Sequence, residues 1–463
     1  MRKRDLIAFF LAAAVSANAA MRQESFDREP PNWEGINNRN KHFELKEVVQ
    51  DFGYNAEKRA IGGRMQPAGE PAYCAYRLPK PLTLDATFSA EGSMYVAEGG
   101  GHFMLAFFNT NTINEWRTPN SLGARINGRG ETFHCHLEYC TSRWRAGAGV
   151  VGVIVPGERI DAKSVPSGKW YSWKIDCKPG RTIMTLNGDR AEMDVPQEHL
   201  ADGATFTHFG LLSLIKTWDS GSDVWITNVT INGVKFDFAS DPKWEAFQNR
   251  RKYVSGDTRP RFDFGWSATH HAKGKIAGEL GGLIFRGDCR EPARMAAYGD
   301  RIGTLTLKTP LRARGKVCML RGITDSTASI GFYNASSSMK SNPSQKSSIP
   351  MDYLGINIEG PSSEGFFFYP VFRGSADDGK ALGSNGNKSP RIYPDGKPRD
   401  WFLEYDPEKR RITVGLDDQT CAMDLTSSDL ESGATFDRFG ICTPWVDGNS
   451  VTVFFDDLEY TAK

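Results

Sequence analysis

The chain has 463 residues, a formal net charge of +1 and an aromatic content of 11%. This near balance of charges, without a visible basic stripe, argues against nucleic acid as a partner. The 47 glycines, set among β-branched and aromatic runs, favour many short strands joined by turns over a helical fold.

The N-terminus has the pattern of a cleaved signal peptide. Residues 2–4 are basic, residues 6–15 form an unbroken apolar run, and residues 17–19 supply small side chains for cleavage. The run is much shorter than the roughly 20 apolar residues that a transmembrane helix needs. We therefore predict a signal peptide at 1–19, an extended polar arm at 20–39, and a secreted or periplasmic protein without membrane insertion.

The eight cysteines divide evenly between the two halves of the chain, and no two form a Cys-x-x-Cys pair. A zinc knuckle or a thioredoxin-type site is therefore not expected. An even number in an exported chain permits disulfides. The alternative is scattered buried thiols, because a large β core does not need cross-links. The sequence leaves the pairing open among Cys74, Cys135, Cys140, Cys177, Cys289, Cys318, Cys421 and Cys442.

An internal repeat organises the chain. Residues 200–211 (LADGATFTHFGL) and 430–441 (LESGATFDRFGI) are identical at seven of twelve positions, with an offset of 230. Upstream, Phe107-Phe108-Asn109 corresponds to Phe332-Tyr333-Asn334, with a small drift that loop insertions would cause. A fixed offset indicates two copies of one structural unit. Each unit is long enough to be a domain with its own core.

The fold class follows from the strand signals within each copy. Residues 224–231 and 450–460 are β-branched and aromatic runs, and Asn187-Gly188 is a typical hairpin turn. We predict an all-β protein with two tandem antiparallel β-sandwich (jelly-roll) domains, at 40–238 and 260–463. A short helical, charged linker is expected at 239–259.

Residues 168–195 (GKWYSWKIDCKPGRTIMTLNGDRAEMDV) and the closing strand FDDLEY at 455–460 resemble the concanavalin A-like lectin/glucanase superfamily. The resemblance covers most of both halves in pattern. It implies a concave sheet that cradles a saccharide, as in lectins, laminarinase-like hydrolases, alginate-lyase-like enzymes and adhesion modules. The fold alone does not select among these activities. The resemblance also implies a structural calcium, for which Asp457 and Asn228 are candidates, with turn capping as the alternative.

A polar strand face in the first copy is the candidate catalytic centre. If residues 133–139 are extended, alternation with period two separates polar from apolar side chains. One face then carries His134, His136 and Glu138, and the other carries Phe133, Cys135, Leu137 and Tyr139.

The preceding segment alternates in the same way and supplies the partner strand. Arg125, Asn127 and Arg129 point to one side, and a tight connection would make the two segments an antiparallel pair. Arg125 is then expected beside His134 or His136, because cross-strand neighbours lie about 5 Å apart. We assign proton transfer to His136, assistance to His134 and Glu138, and anion binding to Arg125.

Two alternatives stay open for this face. It is a solvated outer surface whose charges pair with each other, or its His-x-His-x-Glu pattern holds a divalent metal. No fourth ligand is evident, so no metal is assigned. The second copy has an apolar-aromatic strand at the aligned position. This difference predicts a functional first domain and a structural or binding second domain. The aligned pairs are His134 with Phe367, His136 with Tyr369, Glu138 with Val371, and Arg125 with Asn357.

Aromatic and arginine side chains near this hairpin suit a sugar groove. Aromatic rings stack on pyranose faces, and arginine forks bind carboxylate or sulfate. The substrate-binding candidates are Arg125, Asn127, Arg129, Trp116, Trp144, Arg143 and Arg145, with packing as the alternative for the tryptophans. The leading hypothesis is a secreted lyase or glycoside hydrolase that acts on an acidic poly- or oligosaccharide and requires no cofactor. The alternatives are a non-catalytic carbohydrate-binding or adhesion protein and a purely structural exported protein.

Overall fold

A computed structural model describes most of the chain, and nearly all of its regular structure is β-strand. Residues 1–18 of the predicted signal peptide lie outside the described residues. No helix in the described part is both long and apolar enough to cross a membrane. The described segments are 19–40, 44–113, 118–143, 146–154, 163–215, 220–256, 259–288, 290–322, 325–341, 349–360, 365–376, 378–443 and 448–463.

Strands follow one another at short intervals along the first half of the chain. They are β1 (Ala20–Glu24), β2 (Trp33–Ile36), β3 (Leu45–Asn55), β4 (Ala60–Met65), β5 (Ala72–Thr83), β6 (Phe88–Val96), β7 (His102–Phe108), β8 (Ser121–Gly128), β9 (Thr132–Cys140), β10 (Ala146–Val151), β11 (Val153–Ile154), β12 (Lys163–Pro166), β13 (Trp170–Lys178), β14 (Arg181–Leu186), β15 (Asp189–Asp194), β16 (Thr205–Ser213), β17 (Ser222–Ile231), β18 (Val234–Phe236), β19 (Glu245–Phe247) and β20 (Arg251–Gly256).

The second half repeats this arrangement. Its strands are β21 (Phe262–Ser267), β22 (Glu279–Phe285), β23 (Ala297–Thr306), β24 (Leu311–Gly322), β25 (Thr327–Tyr333), β26 (Tyr353–Glu359), β27 (Phe366–Arg373), β28 (Lys380–Ala381), β29 (Arg391–Ile392), β30 (Arg399–Asp406), β31 (Arg411–Leu416), β32 (Gln419–Asp424), β33 (Thr435–Cys442) and β34 (Ser450–Ala462). The short helices are α1 (Gln197–Asp202) and α2 (Ser427–Glu431), with 3-10 turns at Thr110–Thr112 and Pro292–Arg294.

The strands form four antiparallel sheets in the described residues. Sheet I has the order β15-β14-β13-β6-β17-β4-β3-β20, and sheet II has the order β11-β12-β9-β8-β7-β16-β5-β19. Sheet III is β21-β22-β34-β24-β30-β31-β32, and sheet IV is β2-β23-β33-β25-β26-β27-β28. One buried apolar core draws its side chains from sheets I and II, and a second core draws on sheets III and IV. This confirms the predicted all-β fold of sandwich-like antiparallel sheets.

The register of the two halves is the same around the candidate site. Arg125 lies opposite His136 in the first half, and Asn357 lies opposite Tyr369 in the second. Helices α1 and α2 keep the offset of 230 that the sequence repeat shows. The residue-by-residue alignment of the two copies therefore holds in three dimensions.

The N-terminal arm belongs structurally to the second sandwich. Strand β1 pairs with β34, the last strand of the chain, and β2 pairs with β23. Phe26 and Trp33 lie in the core between sheets III and IV. The arm packs against the half of the chain that is farther from it in sequence.

The first sandwich is closed in the same way by its own continuation. Strand β18 pairs with β17, and β19 pairs with β5. Phe238 and Trp244 lie in the first core, as Phe26 and Trp33 do in the second. Phe26 and Phe238 even share the same unusual φ of 54°. The arm is thus the closing segment of the second sandwich, although it precedes the first sandwich in the chain.

The predicted helix in the linker is wrong. The segment at 239–259 contains β19 and β20, which pair with β5 and β3 at sheet edges. Its charged composition suggested a helix. Edge strands carry charged residues as well, because most of their side chains are exposed. Pairing with a neighbouring strand outweighs such local preferences, and Trp244 anchors the segment in the core.

Six cysteines of the described residues are free thiols: Cys74, Cys135, Cys177, Cys318, Cys421 and Cys442. All of them except Cys421 are buried; Cys140 is buried as well, and Cys289 lies outside the described residues. Burial raises the pKa of Cys135 and of Cys177 to about 12. Such thiols are protonated and unreactive at neutral pH, so the open question between disulfides and buried thiols resolves to thiols for these six.

Candidate functional site

The centre of the candidate site is the outer side of strands β8 and β9 in sheet II, called here the His136 face. Asn127 lies opposite His134, and Arg125 lies opposite His136. The other side of β9 carries the apolar residues Phe133, Cys135, Leu137 and Tyr139, which lie in the first core. The predicted strand, its partner and the two faces are therefore confirmed.

Arg125 and Glu138 form a buried ion pair on this face. The Arg125 Nε lies 3.0 Å from each carboxylate oxygen of Glu138. Arg125 is only 9% exposed and Glu138 only 2%. Glycine occupies the position opposite Glu138, at Gly123, so the guanidinium reaches the carboxylate diagonally across the strands. Glu138 therefore holds Arg125 in place, and its assistance to His136 stays a prediction.

His134 is bound to a neighbouring strand. Its Nε2 lies 3.0 Å from the Ser164 Oγ on β12, and its side chain is buried. The rings of His134 and His136 are 6.1 Å apart, nearly edge to face. His136 itself is half-buried, so it is the histidine of this pair that a ligand reaches most easily.

A third histidine on the face was missed from the sequence. His102 lies opposite Asn127 on β7, and it is buried. The row across the sheet therefore runs from Ser164 through His134 and Asn127 to His102. Alternation along residues 102–108 was the available signal, but these residues are nearly all apolar and look like a core strand buried on both faces.

The remaining predicted substrate-binding residues do not all lie on the His136 face. Asn127 is half-buried on the face, whereas Arg129 is exposed in the turn beyond the end of β8. Arg143 is exposed, and its Nη1 lies 3.7 Å from the Asp202 Oδ1 at the end of α1. Three further candidates lie outside the described residues: Trp116, Trp144 and Arg145.

The corresponding face of the second half is not purely apolar and aromatic, so that prediction is wrong in one respect. Phe367, Tyr369 and Val371 are buried there as aligned, but Tyr369 donates a hydrogen bond to Glu359. Glu359 also pairs with Arg286, which follows β22.

A half-buried glutamate is held by a buried arginine in this cluster. Arg286 also donates to the Thr327 Oγ1 at 2.7 Å and to the Asp325 Oδ1 at 2.8 Å. Burial raises the pKa of Glu359, and Arg286 partly opposes that shift. Both halves thus have an arginine–glutamate pair at this face, but the paired residues come from different positions in the two halves.

The described residues contain no group of three or more histidine, cysteine or acidic side chains placed to hold a metal. At the predicted calcium position, Asp457 and Asn228 occupy matching bulges with φ of 48° and 51°. Both Asp457 carboxylate oxygens lie 3.1 Å from the Lys275 backbone nitrogen, which donates to them. This contact is the turn capping that was the alternative, and a calcium there stays a prediction.

Neither protein-family models nor curated proteins match this chain. Among solved structures, it is similar to domains LG4-5 of the mouse laminin alpha1 chain, with 12% identity, a TM-score of 0.24, and coverage of 89% of this chain and 90% of that one. Peanut lectin matches at 11% identity and TM-score 0.26, over 43% and 90% of the chains. Alginate lyase from Alteromonas sp. 272 matches at 11% and 0.22, over 46% and 92%. These jelly-roll neighbours are of the kind that the sequence resemblance implied, and at this similarity they assign no activity to the chain.

Proposed function

We propose that this protein is a secreted carbohydrate-active enzyme that cleaves an acidic polysaccharide by elimination at the His136 face. The observation that carries the proposal is the fixed guanidinium of Arg125 directly across the strand pair from the half-buried imidazole of His136. Secretion rests on the signal-peptide pattern at residues 1–19.

The inventory of carboxylates favours elimination over hydrolysis. Glycoside hydrolases of the common type need two carboxyl groups about 5–9.5 Å apart around the scissile bond. On the two strands of the His136 face, the carboxylate is Glu138, and it is engaged by Arg125. A histidine changes its charge near neutral pH and is suited to take a proton from carbon.

The proposed reaction uses the two residues in sequence. Arg125 binds the carboxylate of a uronate unit, which makes the proton on the adjacent carbon more acidic. His136 takes that proton, a carbon–carbon double bond forms, and the bond to the glycosidic oxygen breaks. The leaving oxygen keeps the electron pair and takes a proton from water. Asn127 and His134 are placed to orient the sugar hydroxyls.

The test is a screen for unsaturated products, which absorb ultraviolet light, on alginate, polygalacturonate and hyaluronan. We expect the wild-type chain to form them from at least one substrate and His136→Ala to lose roughly 100-fold or more in rate. The matched control is Tyr369→Phe at the aligned position of the second half, which should keep the wild-type rate. Full activity in His136→Ala, or no unsaturated product from any substrate, contradicts the proposal.

The second candidate is a non-catalytic carbohydrate-binding protein. It is favoured by the fact that Glu138 and His134 both have partners within the sheet, Arg125 and Ser164. Binding of an acidic glycan on an array without any product in the screen selects this candidate.

A further inference from the structure

A row of aromatic side chains crosses the outer side of sheet I, on the other sheet of the first sandwich. Trp170 on β13 lies opposite Tyr95 on β6, and Tyr95 lies opposite Trp225 on β17. The residues that flank Tyr95 and Trp225 along their strands point inward and belong to the first core. These three side chains, called here the aromatic row, therefore share the face that points away from the core.

The aromatic row is accessible. Trp170 is 48% exposed, and Tyr95 and Trp225 are half-buried. The rings of Tyr95 and Trp170 are 5.6 Å apart and tilted by 47°. The Lys58 ammonium lies over the Trp225 ring, 5.1 Å from its centroid, so a glycan that stacks on Trp225 must displace this exposed side chain. Large aromatic side chains that remain open in a neighbouring group mark interaction sites more often than isolated exposed residues do.

A cavity continues the row beyond Trp225. Gly62 and Gly53 lie next in register on β4 and β3, and they form part of the floor of a cavity of about 360 Å³. A Cβ at Gly62 would lie 2.0 Å from the Val224 carbonyl oxygen and 2.9 Å from the Trp225 ring, and one at Gly53 would lie 3.0 Å from the Arg250 Nε. The close approach of the neighbouring strand therefore requires glycine at position 62, and neither glycine places a side chain in the cavity at the end of the aromatic row.

The charges around the cavity are balanced. Its charged lining consists of Asp51, Arg64, Asp223 and Arg250. The Arg64 Nη1 lies 3.7 Å from the Asp223 Oδ1, and the Arg250 Nη2 donates to the Tyr54 carbonyl at 2.6 Å. A lining with equal numbers of acids and bases has no preference for a polyanion. It offers both donors and acceptors, which is what a hydroxyl-rich neutral ligand requires.

We propose that the aromatic row and the adjoining cavity bind a neutral glycan chain that lies across the strands of sheet I. Successive pyranose rings stack on Trp170, Tyr95 and Trp225, and the hydroxyls of the next unit enter the cavity. This site is on a different sheet from the His136 face, and it acts in binding rather than in bond cleavage. The proposal does not depend on the proposed function.

The test is affinity electrophoresis of the full chain in gels that contain soluble mixed-linkage β-glucan, uronate-free arabinoxylan or glucomannan, all of which are neutral. We expect at least one polysaccharide to retard the wild-type chain. Trp170→Ala should raise the Kd roughly three- to tenfold, the range that an aromatic contact supplies. Trp170→Ala combined with Tyr95→Ala and Trp225→Ala should abolish the retardation. The control is Phe247→Ala, which removes another exposed aromatic ring, 43% exposed, and should leave the retardation unchanged.

The single variant keeps the test decisive even if the triple variant does not fold, because Trp170 is largely exposed. Equal retardation of the wild-type chain and Trp170→Ala overturns the proposal. No retardation in any of the three gels overturns it as well. Because the gels contain no acidic polysaccharide and measure no turnover, neither result bears on elimination at His136.

Discussion

The aromatic row of the first half is open to solvent, whereas the equivalent row of the second half is covered. Phe454 lies opposite Gly281 and Cys318 in the second half, as Trp225 lies opposite Gly62 and Tyr95 in the first. Phe454 is buried, however, because residues 268–278 between β21 and β22 fold over it, with the His271 ring 4.7 Å from its own. The corresponding connection in the first half, residues 56–59, is a tight turn. A connecting loop therefore decides whether this row is a packing surface or an open one.

Two buried carboxylates hold the covering loop of the second half in place. Glu279 accepts hydrogen bonds from the Thr269 Oγ1 at 2.6 Å and from the backbone nitrogens of His271 and Ala272 at 2.9 and 2.8 Å. Asp456 accepts from the Gly274 nitrogen at 2.9 Å. The equivalent positions of the first half hold Ala60 and Thr227. The open row and the missing carboxylates thus occur together.

The largest effect is expected from removing the tryptophan that closes one sandwich. Trp33→Ala should destabilise the second sandwich by about 3–5 kcal/mol, the usual range for a buried aromatic side chain. The indole nitrogens of Trp33 and Trp244 have no hydrogen-bond partner among the residues that the structure describes, so packing determines the loss. Hydrogen exchange should rise in Ala297–Thr306, whose strand pairs with the arm.

The matched variant is Trp244→Ala in the first half. Its increase in exchange should appear in Ala72–Thr83, whose strand pairs with β19, and not in the second half. If Trp33→Ala instead loosened only the first half, the arm would not close the second sandwich in solution.

The sequence predicted what is local or repeated. Alternation placed His134, His136 and Glu138 on one side of a strand, and the repeat aligned Arg125 with Asn357 in the correct register. It did not predict the partner of the N-terminal arm, because Ala20 pairs with Ala462 and no local pattern encodes a contact across the whole chain.

The sequence also did not predict the ion pairs of Glu138 and Glu359, because these too depend on three-dimensional packing. The strand pattern of residues 133–139 indicates that Glu138 lies near Arg125, but it does not indicate that the carboxylate is engaged by it. The partner of Glu359 is harder still to predict, because Arg286 comes directly after β22, a strand of the other sheet of the sandwich. Contacts between sheets depend on how the sandwich packs, which alternation along one strand does not encode.

An intermediate effect is expected when the covering loop loses its carboxylate. Glu279→Ala should reduce stability by about 2 kcal/mol, because one buried donor, the Ala272 nitrogen, and two partly buried donors lose their shared acceptor. Limited proteolysis should then cut within residues 268–278, where the wild-type loop resists. Glu404→Ala on the exposed side of β30 removes a surface carboxylate and should change stability by no more than about 0.5 kcal/mol. An unchanged loop in Glu279→Ala would mean that apolar contacts with Phe454 hold it alone.

The smallest effect is a pH dependence of the stability of the second half, caused by Asp456. Burial raises the pKa of Asp456 to about 6, above its value in the unfolded chain, so the folded chain keeps this proton longer. As the pH rises from about 4.5 to about 6.5, the unfolded chain ionises first, and the contribution of Asp456 to stability falls by about 2 kcal/mol. Urea unfolding of the second half at the two pH values measures this loss. Asp456→Asn should remove most of this difference, because the asparagine amide does not ionise in this pH range. Thr227, at the equivalent position of the first half, has no charge either. An equal pH dependence in the variant would assign the titration to another group.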